Sequence, residues 1–236
     1  MRYKFGFTLA EVLITLGIIG IVAALTLPAL IQKNHVTTVE TRLKKFYSSI
    51  NQAIQMAEVK YGDKENWEPK DTDEFWNVYI KPYLKYTDVE NLTAADSLGA
   101  KQYLVKLPDG SGFLMDIFFR VGVNGEISEQ THGGHFIFCP QVKDCRSGLD
   151  YTIMGKKQFL FGYWPNEDPA AGGHTEMKYH KGKGVEPYLV HWDGREESLT
   201  SHNSYGCKEG SETAAYCTAV IQHNGWHIPK NYPFKF

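Results

Sequence analysis

The sequence predicts an α+β protein: a long N-terminal helix, one half suited to a membrane and the other amphipathic, packed on an antiparallel β-sheet domain. Three observations predict it. From Val12 to Ile31 no residue is charged. From Gln32 to Tyr61 apolar residues return at alternating steps of three and four, the spacing of one helix face. Past Gly62 the apolar runs shorten, separated by turn residues such as Pro108-Asp109-Gly110 and Asn124-Gly125, a hairpin pattern. Helix first and strands later is the order of an α+β layer arrangement.

The first element opens with a leader carrying two cations, Arg2 and Lys4, and ending in Gly6. The twenty uncharged residues at about 1.5 Å each then span roughly 30 Å, the thickness of a bilayer's hydrocarbon core. Glu11 stands just before that run. An acid carried to the centre of a membrane helix costs on the order of 2–3 kcal/mol, so a chain that carries one there uses it; the plainer alternative seats Glu11 at headgroup level. Gly17, Gly20, Ala23 and Ala24 offer small surfaces where helix backbones can approach. Pro28 removes a hydrogen-bond donor and should kink or loosen the helix. A cleaved secretory signal would carry an apolar core of about 7–15 residues, shorter than this one. A plain anchor accounts for the length but not for Gly6-Phe7-Thr8-Leu9-Ala10-Glu11.

That hexapeptide closely resembles the processing site of type IV prepilins and type II secretion pseudopilins. The resemblance implies a cut between Gly6 and Phe7 by the prepilin peptidase, a membrane aspartic peptidase, followed by N-methylation of Phe7. It makes Glu11 the family's glutamate, five residues into the mature chain, and matches Pro28 to the proline that interrupts the family's helix. Elementary electrostatics fits that reading. Cleavage leaves an α-amino group, ordinarily of pKa about 7.7–8.0, at the edge of an apolar helix. In lipid, that amine and Glu11 of a neighbouring subunit would attract strongly. Pairing within one chain is also open, because the two residues are four apart. Intermolecular pairing is what the resemblance implies for assembly.

After the apolar run, Val36, Val39, Leu43, Phe46, Ile50, Ala53 and Ala57 form the stripe, and Lys33, Glu40, Arg42, Lys44, Lys45 and Gln52 read as a solvated face. Alone, the stripe would suit a short coiled coil; with a folded domain downstream it should dock on a sheet. Gly62 suits a C-terminal cap. Asp73–Leu84 reads as a short helix ending near Pro82, with Phe75, Trp76, Tyr79 and Ile80 inward. Tyr103–Leu107 and Phe113–Phe119 flank a turn and read as a hairpin. Phe119–Val123 leads into the Asn124-Gly125 turn. His135–Phe138, Gln158–Tyr163 and Tyr188–Trp192 are further strand candidates. Trp164–Thr175 reads as a loop and Ala214–His223 as a last short helix.

Four cysteines, Cys139, Cys145, Cys207 and Cys217, all follow the apolar span and allow three pairings. Bridges between sequence neighbours, Cys139–Cys145 and Cys207–Cys217, are favoured, as expected in an oxidising exported compartment. The phrase from Cys217 to Pro229 resembles the tail of large pilin-like proteins, whose disulfide often fixes a C-terminal loop; Cys207–Cys217 would fill that role. His132 and His135 with Cys139 and Cys145 could be drawn as a zinc cluster, but the spacing fits no finger pattern. Asp193, Glu196, Glu197, Glu209 and Glu212 are candidate calcium ligands without an EF-hand run; solvated surface carboxylates explain them better. No cofactor is expected. Nucleophile-elbow, zincin, phosphate-loop and dinucleotide motifs are absent, and a Cys139–His135 nucleophile competes with a disulfide, so no enzyme activity is expected.

A 14% aromatic content suits a packed domain of about 170 residues. The formal charge of −2 becomes −4 without the leader cations, which argues against nucleic-acid affinity. Flanking cations leave topology ambiguous, with Lys33, Arg42, Lys44 and Lys45 after the span; the resemblance implies a cytoplasmic leader and an exported C-terminus. The expected organisation is a leader at 1–6, a transmembrane and assembly helix at 7–31, its amphipathic continuation at 32–62, and an exported globular domain at 63–236. The resemblance then implies a minor or specialised filament subunit of a type IV pilus or type II secretion pseudopilus. It would be held as a single pass in the inner membrane before joining a filament in the periplasm or at the cell surface. Expected partners are the peptidase/methylase, other pilin or pseudopilin subunits, the inner-membrane assembly platform and membrane lipid. The alternative is a membrane-tethered adhesin or DNA-uptake domain displayed by the same machinery.

Overall fold

A computed structural model describes Gly6 and residues 8–92, 102–121, 127–166 and 175–236. Phe7, the Asn124-Gly125 turn and most of the Trp164–Thr175 loop lie outside the described residues. The chain divides into a first unit of Met1–Thr38 with Phe236, and a second of Val39–Lys235. The first long element, α1, runs Leu9–Tyr61 without interruption at Pro28. It stops at Gly62, whose φ of +78° is left-handed backbone that glycine adopts freely, while its N–H donates to the Glu58 carbonyl at 2.9 Å.

Six antiparallel strands follow one another across a single sheet: β1 (Asp88–Leu92), β2 (Gln102–Lys106), β3 (Gly112–Val121), β4 (Ile127–Cys139), β5 (Phe159–Tyr163) and β6 (Glu186–Pro187). The β2–β3 hairpin closes where the Asp109 carboxylate accepts from the Ser111 N–H at 3.1 Å and its hydroxyl at 2.5 Å. Register sorts the side chains. Phe113 lies opposite Phe138, which lies opposite Phe159; one step on, Leu114 lies opposite Ile137, which lies opposite Leu160. With a period of two, the phenylalanines share one face and the aliphatic row the other.

The second half of α1 covers the phenylalanine face. Val39, Leu43, Phe46, Ile50, Ala53, Ile54 and Ala57 are all buried there. Phe46 is the centre of that contact, with ring centroids 5.1, 4.9 and 5.2 Å from those of Phe113, Phe138 and Phe161 on three successive strands. Leu104, Leu114, Ile137 and Leu160 pack instead against Met154, Ala214, Ala215 and the four cysteines. Covered on both faces, β4 and β5 read as nearly continuous apolar runs, FIFC and FLFGY, rather than as alternation.

The sequence expectations differ from the structure in several places. β1 carries two acids and an asparagine, poor strand formers; Asp88 and Glu90 are matched by Lys106, directly opposite Asp88 in register, and Glu90 also by Arg146 at 3.1 Å. The helix read at Asp73–Leu84 is a single turn, α2 (Thr72–Glu74), capped by the Asp71 carboxylate on the Glu74 N–H at 2.7 Å. It continues as a π-helix over Phe75–Ile80, where the Lys81 N–H reaches the Trp76 carbonyl at 2.8 Å. Tyr188–Trp192 is not a strand: Pro187 lacks a donor, His191 sits at φ +63°, and the Trp192 N–H turns back to the Leu189 carbonyl. Two short helices, α3 (Ser198–Ser201) and α4 (Cys217–His223), complete the fold; α4 starts after Ala214 because Ala214 has φ +48°.

Candidate functional site

The start of α1 is built by two side chains. Thr8 precedes the first helical residue and its hydroxyl accepts from the Glu11 N–H at 3.3 Å. Glu11 Oε2 accepts in return from the Thr8 N–H at 2.8 Å and from the Thr8 hydroxyl at 2.7 Å. This is a capping box, which satisfies two of the donors a helix start leaves open. All of its atoms belong to Thr8 and Glu11, so a cut between Gly6 and Phe7 leaves it whole. Among the described residues, both bonds to the carboxylate fall on Oε2. Thr8 was missed by sequence reasoning, although Thr-x-x-Glu ahead of an apolar run is a capping-box signal.

Beyond the cap, residues 12–31 of α1 carry no charge, and none of them is buried within the chain. Leu9, Ile14, Leu16 and Ile21 are each 60% exposed or more. A core helix of a soluble protein would bury such side chains. The polar atoms in this stretch are satisfied within the helix: Thr15 Oγ1 donates to the Glu11 carbonyl at 2.9 Å and Thr26 Oγ1 to the Val22 carbonyl at 2.9 Å. A helix that closes its own hydrogen bonds meets the condition for entering lipid. A Cβ at Gly6, Gly17 or Gly20 would meet nothing within 4 Å, so packing within the chain requires none of these glycines. In the interior of α1, Gly17 and Gly20 each cost roughly 1 kcal/mol relative to alanine, which leaves close approach by another helix as a physical use for them.

The second half of α1 is tied to its domain by polar residues, three of which, Glu40, Arg42 and Lys45, the sequence reading had placed on a solvated face. Arg42 Nη1 donates to the Pro140 carbonyl at 2.6 Å, and Lys45 Nζ lies 2.9 Å from the Asp109 carboxylate. Glu40 Oε1 accepts from the Ile228 N–H at 2.7 Å while its Oε2 lies 3.2 Å from His227 Nδ1. Asn51 works as a two-sided clamp: its Nδ2 donates to the Val185 carbonyl at 2.8 Å and its Oδ1 accepts from the Val185 N–H at 2.9 Å. A Cβ on Gly184 would sit 2.0 Å from that Oδ1. Tyr47 donates to Glu186 at 2.9 Å and lays its ring 4.8 Å from that of Trp226. Burial, and then the Glu186 carboxylate, push its phenol pKa up. Helical periodicity carries no signal for such distant partners.

The cysteines form two disulfides, Cys139–Cys145 and Cys207–Cys217, with Cα separations of 5.8 and 4.6 Å. Both are buried in the layer on the aliphatic face of the sheet. Cys139 is therefore no thiol beside His135. Instead His135 donates its backbone N–H to the buried Asp116 carboxylate at 3.0 Å. Asp193 accepts from the Ser198 hydroxyl at 2.5 Å and from Arg195 Nε at 2.7 Å; Ser198, then Arg195, hold its carboxyl well below the usual range. Among the described residues no group of three or more His, Cys, Asp or Glu converges to hold a metal.

Two matches divide the chain on either side of Pro28. Residues 1–27 match the prokaryotic N-terminal methylation motif, the hallmark of type IV prepilins and pseudopilins. Residues 29–236 match a family described as of unknown function, DUF6613. No curated protein and no solved structure matches the chain.

Proposed function

We propose that this chain, which belongs to the family of unknown function DUF6613 and carries a prepilin-type N-terminus, is a minor or specialised structural subunit of a type IV pilus or type II secretion pseudopilus. The observation that carries the reading is the methylation motif on a capped helix whose apolar first half has no buried residue. Its role is assembly. Prepilin peptidase removes residues 1–6, Phe7 becomes the N-methylated terminus, and residues 7–31 anchor the subunit in the inner membrane with the domain exported. In the filament, Glu11 Oε1 accepts the Phe7 amine of a neighbour, while Oε2 stays committed to Thr8. Within the domain, Met56, Val59, Tyr61 and Tyr151 are the exposed large hydrophobic side chains among the described residues, a sparse set that suits a scaffold better than an adhesive surface.

Mass spectrometry of protein recovered from membranes or sheared fibres tests the processing step. The expected N-terminus is methylated Phe7; an intact Met1 would sink the proposal. Glu11→Val should leave membrane insertion intact, because insertion becomes easier without the carboxylate, and should lower fibre yield. Normal fibre yield from that variant would remove the charge pairing from the mechanism.

A further inference from the structure

We propose that a cleft between α1 and the β2–β3 hairpin binds a small apolar monoanion, a compact aromatic or aliphatic carboxylate. The cleft encloses about 360 Å³, at the small end of ligand pockets. Phe46, Leu84, Leu107 and Pro108 supply its apolar lining. That lining is fixed in place: Phe46 is 2% exposed and wedged among three sheet phenylalanines, and Leu84 is 8% exposed. The hairpin bearing Pro108 is closed by the Gly110 N–H on the Leu107 carbonyl at 3.1 Å. A preformed wall of this kind costs little ordering on binding.

The rim sets the charge. Lys45 and Asp109 neutralise each other at 2.9 Å, and the second oxygen of Asp109 is occupied by Ser111. Lys85 lines the same cleft, is exposed, and has no ion pair among the described residues. The site therefore presents one uncompensated cation above an apolar floor. An apolar body with a single negative charge complements both; a cation would be repelled, and a second negative charge would be desolvated without a partner.

The test uses the full chain in lipid nanodiscs, with empty nanodiscs as the blank and 2-naphthoate as the probe in equilibrium dialysis. Saturable binding of one naphthoate per chain is expected, weaker by about threefold or more for uncharged 2-naphthylmethanol. Ser49 also lines the cleft, and Ser49→Trp, which fills it, should abolish binding. Lys85→Glu, at an exposed and unpaired position, should keep the fold and reverse the preference toward 2-naphthylmethylamine, and Lys85→Met should remove the preference for charge. Absence of saturable binding overturns the proposal, as does binding indifferent to both Ser49→Trp and Lys85→Glu. If naphthoate fails to bind while Ser49→Trp lowers fibre yield, the occupant is a neighbouring subunit and the small-ligand assignment is wrong.

Discussion

The two halves of α1 are equally helical and differ in what covers them. Leu16 is 60% exposed and Ile21 65%, whereas Leu43 and Ile50 are fully buried. The distinction is one of pattern. Residues 12–31 are apolar on every side, so no single protein face could cover them; residues 39–57 are apolar along one stripe, which one sheet covers. Burying a leucine or isoleucine is worth about 1.5–3 kcal/mol. The second half collects that energy from the domain, and the first half must collect it from lipid or from other helices. Stability of the domain is therefore written in the second stretch of the helix, and the assembly role proposed above would rest on the first.

The sharpest way to break this comparison is a pair of truncations. Phe46→Ala should destabilise the domain by about 3–5 kcal/mol, because it empties a site shared by three strands. Leu16→Ala should leave domain stability unchanged. All five tryptophans lie between Trp67 and Trp226, so their fluorescence during urea unfolding of the full chain reports the domain alone. Equal shifts for the two variants would erase the distinction. Next in size, reducing Cys207–Cys217, a bridge of sequence separation 10, should cost on the order of 2–3 kcal/mol in the same assay. A melting curve unmoved by reductant would show that the layer opposite α1 stands without its bridges.

A smaller effect sharpens the comparison through pH. His180 is fully buried, its Nε2 accepts from the Leu189 N–H at 3.2 Å, and Nδ1 has no hydrogen-bond partner among the described residues. Burial, and then Lys183 and His135, lower its pKa from 6.5 to about 3. Below pH 6.5 the unfolded chain therefore binds a proton that the native domain refuses. The stability from neutral His180 is complete above about pH 6.5 and is lost as pH falls towards 3. Between pH 7 and pH 5 the loss is about 2 kcal/mol for one such proton. His180→Gln should flatten that slope by one proton in urea titrations; an unchanged slope would assign it to other groups.

Much of this contrast was legible in the residues. The alternating stripe marked which side of α1 meets the sheet, and Gly62 marked its end, because both depend on local spacing. The β2–β3 hairpin was legible from Pro108-Asp109-Gly110 for the same reason. What escaped was non-local. β1 is a strand because Lys106 and Arg146 arrive beside Asp88 and Glu90, and Trp76 and Ile80 lie on a π-turn rather than an α-turn for reasons its own residues do not state. Arg42, Lys45 and Glu40 looked solvated because Pro140, Asp109 and Ile228 are far away in sequence. At the N-terminus the processing residues were visible as a motif, while the partnership of Thr8 with Glu11 was overlooked despite being local.

The hold of the tail on α1 has a consequence for the order of events during synthesis. The Ile228 N–H meets Glu40 across 188 residues of sequence, and Trp226 meets Tyr47 nearby. Neither contact can form until the final stretch of polypeptide has left the ribosome and, on the function proposed above, crossed the membrane. The apolar end emerges first and can be handed to the bilayer while most of the chain is still being threaded. The domain, which needs residues from both its first and its last stretch, can close completely only once its last residues are made; on the function proposed above, that is after export, in a compartment where its thiols can be oxidised. A chain that stalls or is clipped before Trp226 would lack the Glu40 and Tyr47 contacts, leaving quality-control proteases an unfastened edge to recognise.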